Sequence, residues 1–138
     1  MKLVIDSSVL VKFLVSERED NIDQADKLLE RARQGITSMS CPELAKYEIG
    51  NVLKYKKIED NQRFMCLSTL YKLPIKYYPQ NSKLAQRSLE IALSVGISNY
   101  DATFLALAEN LDATLVTANP KHQKILEGIT VVALKDYK

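Results

Sequence analysis

Short apolar runs alternate along this chain with rows of apolar residues spaced three and four apart, the periods of strands and of one-sided helices. Residues 3–5 are all apolar and two are β-branched, which predicts a buried strand. The run stops at Asp6, and Ser7 or Ser8 suits the N-cap of a helix carrying Val9, Leu10, Val11, Phe13 and Leu14. After a polar turn over 16–21, Ile22, Ala25, Leu28, Leu29 and Ala32 predict a helix ended by Gly35. Residues 36–39 predict a short strand, and 40–42 a turn that places Pro42 in the first position of a third helix. That helix presents Leu44, Ala45, Ile49, Val52 and Leu53 on one stripe.

Residues 61–73 predict a helix with Phe64, Leu67 and Leu70 inward, broken by Pro74 before a short strand at 75–78. Leu84, Ala85, Leu89, Ala92 and Leu93 mark the next helix, closed by Gly96. Ser98 or Asn99 caps another, with Phe104, Leu105, Ala108 and Leu111 inward. Residues 113–116 form a buried strand ending at Thr117-Ala118-Asn119, Pro120 opens a short helix, and 129–134 is a last strand. Strands separated by helices imply an α/β fold, a three-layer sandwich whose central, mostly parallel sheet is flanked by helices. No linker or repeat divides residues 1–138, so one domain is expected.

Composition changes this picture little. The 138 residues are 46% hydrophobic and 26% charged, with a formal charge of +2, too small to argue for nucleic acid by itself. Cys41 and Cys66 form no CxxC pair, which favours a reducing compartment. No apolar run approaches the roughly 18 residues of a membrane helix, and the first residues lack the regions of a signal peptide. The expectation is a soluble, cytoplasmic protein with no membrane partner.

Three acids interrupt apolar surfaces. Asp6 closes the first strand, Glu48 lies in the helical row Leu44, Glu48, Val52 with Asn51 beside it, and Asp101 shares a face with Phe104, Leu105 and Ala108. Asn119 ends the later strand, and parallel strands gather Asp6, Asp101 and Asn119 at one sheet end. Each has an ordinary alternative: Asp6 and Asn119 suit helix caps, and Asp101 suits a helix dipole. If three carboxylates converge, each pair at about 4 Å repels by roughly 4 kcal/mol at an effective dielectric of 20. A proton or a cation relieves that repulsion. Oxygen-only ligands favour Mg²⁺ or Mn²⁺, which suits phosphodiester hydrolysis. GxxxxGK[ST], GxGxxG and GxSxG are absent, and His122 is the only histidine, in a polar stretch that reads as surface.

Four blocks carry a family resemblance: 4–10 (VIDSSVL), 42–53 (PELAKYEIGNVL), 100–108 (YDATFLALA) and 115–119 (LVTAN). In this order and spacing they resemble PIN domains, closest in flavour to the VapC-type ribonuclease toxins of toxin–antitoxin pairs. The resemblance implies that Asp6, Glu48 and Asp101 bind metal and that Asn119 stands where the family usually has a further Asp. It makes Ser8 and Thr117 hydroxyls lining the site, with Asn51 beside the glutamate. It also implies Mg²⁺- or Mn²⁺-dependent cleavage of RNA, homodimerisation and inhibition by a cognate antitoxin. Asn119 brings an oxygen without charge, so weaker metal affinity is expected.

Lys46, Lys54, Lys56, Lys57, Lys121 and Lys124 form a candidate track for a phosphate backbone, or simply a solvated face. The helices between 61 and 96 are candidates for a dimer surface. The competing reading is a catalytically weak PIN-like protein that acts by binding a partner or RNA. A receiver-like signalling domain fits less well, because Ser7 and Ser8, not acids, follow Asp6.

Overall fold

A computed structural model describes residues 1–16, 19–122 and 126–138. Among them the chain forms β1 (Lys2–Ile5), α1 (Ser7–Leu14), α2 (Ile22–Arg33), β2 (Ser38–Pro42), α3 (Leu44–Tyr55) and α4 (Asp60–Leu70). β3 (Ile75–Tyr78), α5 (Ser82–Val95), α6 (Asn99–Leu111), β4 (Thr114–Thr117) and β5 (Val131–Ala133) follow, with 3-10 turns at Pro120–His122 and Leu134–Asp136. The strands pair in the order β3-β2-β1-β4-β5, every pair parallel. The expected α/β sandwich is the fold observed.

Strand order determines where a site can form. The chain steps outward from β1 to β2 and β3, then crosses back to β4 on the other side of β1. Right-handed crossovers therefore put α1–α4 on one face of the sheet and α5–α6 on the other. Packing agrees, since α1 touches α2, α3 and α4, while α5 lies along α6. The reversal falls between β1 and β4, and the crevice outside their C-terminal ends is the switch point where open sheets bind ligands. The core beneath is apolar: Val4, Ile5, Val9, Leu10, Leu115 and Val116 are fully buried. α6 is buried on every side from Ala102 to Ala108, so it is a core helix and not a one-sided one.

The structure corrects several local expectations. β2 runs over Ser38–Pro42, two or three residues later than the sequence suggests, because it must pair with β1 from Ser38 and with β3 through Pro42. That register buries Met39 and Cys41 and leaves Ile36 exposed. Pro42 is thus the last residue of a strand, not the first of a helix; the Glu43 N–H continues the ladder to the Tyr78 carbonyl at 2.9 Å. On α5 the buried residues are Ser88 and Ile91, whereas Leu89 and Leu93 are 54% and 78% exposed. Phe64 on α4 also faces outward.

Caps follow the sequence more closely, except at α1, where Asp6 is the N-cap and Ser7 and Ser8, expected to cap, are the first helical residues. Gly96 closes α5 with φ of 70°, and the Ser98 hydroxyl accepts from the Asp101 N–H at 3.0 Å. Lys12, buried on α1, donates to Glu19 and Asp20 at 3.2 and 2.8 Å, and Lys56 reaches the same Glu19 at 2.5 Å. Among the described residues no single helix is long and apolar enough to cross a membrane.

Candidate active site

Asp6 follows β1 directly, and its N–H still pairs with the Val116 carbonyl at 3.0 Å. Its side chain makes no helix-capping bond; the backbone carbonyl instead accepts from Val9 and Leu10. The carboxylate is held from beside by two hydroxyls, Ser8 Oγ at 2.5 Å and Thr117 Oγ1 at 2.9 Å, both on Oδ2. These donors are themselves fixed: Ser8 Oγ accepts from the Ala118 N–H at 3.0 Å, and Thr117 Oγ1 from the Asn119 N–H at 3.1 Å. Adjacent parallel strands make this possible, because β1 and β4 end side by side. Asp6 is thereby locked in one orientation while its second oxygen, Oδ1, carries none of these bonds.

Glu48 enters from α3. Its Oε1 accepts from Ser7 Oγ at 2.8 Å, which ties α3 to the start of α1. Asp101 enters from the first turn of α6, whose N-terminus favours an acid. The three acids line one open cleft of about 510 Å³ together with Ser7, Ser8, Tyr47, Asn51, Tyr100 and Asn119. Partial burial pushes the Glu48 carboxyl above its ordinary range, the Ser7 hydrogen bond pulls it down, and the charges of Asp6 and Asp101 push it up again. Glu48 therefore feels the charges of both other acids. Asn119 lies in the same wall, and its backbone, not its side chain, makes the observed bond to Thr117.

Every predicted site residue except Thr117 borders the cleft; Thr117 sits fully buried behind Asp6. Three residues were not singled out for the site by sequence. Ser7 read only as a cap, since its partner Glu48 is 41 positions away. Tyr47 and Tyr100, 75% and 64% exposed at the cleft, lacked a periodic signal. The lysines contribute less than expected. Lys46 is bound to Glu43 at 3.1 Å and lies over the Tyr77 ring, and Lys56 is spent on Glu19. Lys121 borders a neighbouring hollow with Asn119, and Lys124 lies outside the described residues.

The donor set fits a hard divalent cation: three carboxylates and an amide oxygen, with neither thiolate nor imidazole in the cleft among the described residues. Among the described residues no three acidic, histidine or cysteine side chains already converge on one coordination point. The acids stand on the walls of the cleft rather than in a closed cage.

A parallel β3-β2-β1-β4-β5 sheet with acids gathered at its switch point defines an α/β protein with an acidic crevice, and the chain belongs to the PIN domain family, which it matches over residues 3–127. It is similar to Ribonuclease VapC3 of Pyrobaculum aerophilum, with 28% identity over 125 residues, covering 85% of this chain and 88% of the relative. Its fold is similar to that of VapBC2 from Rickettsia felis bound to a DNA fragment from their promoter, with a TM-score of 0.74 at 17% identity, covering 96% and 98% of the two chains. Mycobacterium tuberculosis VapC20, a Sarcin-Ricin loop cleaving toxin, shares it with a TM-score of 0.66 at 11% identity, covering 84% and 87%.

Proposed function

We propose that this protein is a divalent-metal-dependent endoribonuclease, the toxin of a toxin–antitoxin pair, acting as one domain over residues 1–138. The observation that carries the reading is the gathering of Asp6, Glu48 and Asp101 around one cleft at the switch point of the sheet. Its likeness to a VapC ribonuclease supports the substrate class, and its likeness in fold to VapBC complexes supports a cognate antitoxin.

Asp6, Glu48 and Asp101 would hold Mg²⁺ or Mn²⁺, with Asn119 adding a neutral oxygen. When bound, such an ion polarises a phosphate and lowers the pKa of water. The chain's own residues do the rest. Ser8 and Thr117 keep one Asp6 oxygen occupied and the carboxylate fixed. Ser7 holds one oxygen of Glu48 and so orients the carboxylate toward the cleft. Tyr47 and Tyr100 offer exposed rings against which unpaired bases stack, which favours single-stranded RNA. Leu89 and Leu93, both exposed on α5, support homodimerisation through that helix.

The test is cleavage of a structured RNA pool by protein freed of any co-purifying antitoxin, with Mg²⁺, Mn²⁺ or EDTA, beside Asp6→Asn. Metal-dependent cutting lost in the variant is expected. Folded protein that cuts with neither metal would favour the second reading, a PIN protein that binds RNA or a partner without cutting. Asn119 is the residue that favours it, since it removes one charge from the cation site.

A further inference from the structure

A second hollow adjoins the acidic cleft. It lies between the ends of β2 and β3, the start of α3, and the N-terminal turns of α5 and α6, and it shares Leu44 and Tyr100 with the cleft. Its volume is about 160 Å³. A cavity near 150 Å³ holds a single benzene-sized ring, well below the 300–1,000 Å³ of a pocket for a drug-sized ligand.

Its chemistry selects the occupant. Tyr78, Leu84 and Leu107 supply apolar and aromatic wall, and Tyr100 stands at the junction with the cleft. Among the described residues the side-chain amides of Gln80 and Asn99 make no hydrogen bond within the protein. An amide offers a donor and an acceptor together, the pattern found on the edge of a nucleobase. Among the described residues no lysine or arginine lines the hollow, and the one acid that does, Glu43, is paired with Lys46 at 3.1 Å. A phosphate would meet a carboxylate there without a cation of its own. A neutral planar ring meets no such penalty.

We propose that this hollow is a nucleobase subsite, which takes one pyrimidine of the RNA while the neighbouring phosphate lies in the acidic cleft. The inference rests on the nuclease reading of that cleft and assigns it a base preference. Tyr100 separates the two compartments, so the base in the hollow belongs to a nucleotide at or next to the cut.

Two measurements test it, and the first does not depend on cleavage. Amide shifts of Tyr78, Thr103 and Leu107 are followed by NMR while uridine, cytidine, adenosine and guanosine 3′-monophosphates are added to the full chain. Saturable shifts are expected, tighter for the pyrimidines, and weakened at least about fivefold by Leu84→Phe, which fills the hollow, and by Gln80→Ala, which alters only its exposed mouth. Absence of shifts, no pyrimidine preference, or shifts unchanged by both substitutions overturns the proposal. The second maps cut sites in a random-sequence RNA. Wild type should favour a pyrimidine at one position beside the cut, and both variants should lose that preference. Binding without cleavage would leave the subsite standing and remove the nuclease reading. Cleavage with the same preference in wild type and both variants would remove the subsite alone.

Discussion

Thr117→Val tests the hydroxyl lock on Asp6 with almost no change of shape. Thr117 is fully buried, donates to Asp6 Oδ2 at 2.9 Å and accepts from the Asn119 N–H at 3.1 Å. Valine keeps the volume and the β-branch, so neither a cavity nor a loss of strand propensity enters. A hydrogen bond to a charged group contributes about 1.5–3 kcal/mol net, and an orphaned N–H costs up to about as much again if it stays dry. Asn119 is exposed and can turn to water, and Asp6 keeps the Ser8 hydroxyl at 2.5 Å, so the lower part of the range applies. The expected loss is about 2 kcal/mol, a fall in the urea midpoint on the order of 1 M. Thr117→Ser keeps the hydroxyl and removes one methyl, which costs about 1 kcal/mol. Urea titrations of the three proteins at pH 7 in EDTA supply the comparison. A valine loss below about 0.5 kcal/mol, or smaller than the serine loss, refutes the lock. Cleavage by the valine variant should fall further than its stability explains, because Asp6 is free to rotate.

Glu48→Gln should raise the stability of the metal-free protein at neutral pH. The folded-state pKa of Glu48 is raised, so its ionised form opposes folding as pH climbs from the ordinary glutamate value through the folded one. Urea titrations at pH 7 and near pH 4 should show the gain only at the higher pH; an equal effect at both would contradict the burial-and-repulsion account. Asn119→Asp should tighten Mn²⁺ binding by calorimetry, since it adds a charge to the same wall of the cleft; unchanged or weaker binding would take Asn119 out of the cation site. Leu93→Glu, at a position 78% exposed, should convert a dimer to monomer in sedimentation without lowering the melting temperature. A monomeric wild type would discard α5 as the contact. The Arg87–Glu109 pair joins α5 to α6 at 2.6 Å but is more than a third exposed, so Arg87→Ala should cost about 0.5 kcal/mol or less.

What the sequence determined by itself was whatever short-range pattern encodes. The apolar runs at 3–5 and 115–116 fall inside β1 (Lys2–Ile5) and β4 (Thr114–Thr117) because consecutive apolar residues have one stable way to be buried in a sheet, and Asp6 and Thr117 mark where those strands end. Ser98 and Gly96 placed a helix start and a helix end because caps act within a few residues. The four blocks resembling PIN domains carried Asp6, Glu48, Asp101 and Asn119 to one place, and the fold sets all four around the cleft.

Tertiary structure decided what depends on a partner far along the chain. The boundaries of β2 follow from pairing with two strands at once, which local propensity at Ile36 does not encode. Which stripe of α5 is buried follows from where α6 lies, so Ser88 goes in and Leu93 stays out. The Ser7–Glu48 and Thr117–Asp6 bonds span 41 and 111 positions, and the hollow beside Tyr100 is built from five separate elements. Periodicity states that a residue has a buried side. Only packing states what that side touches.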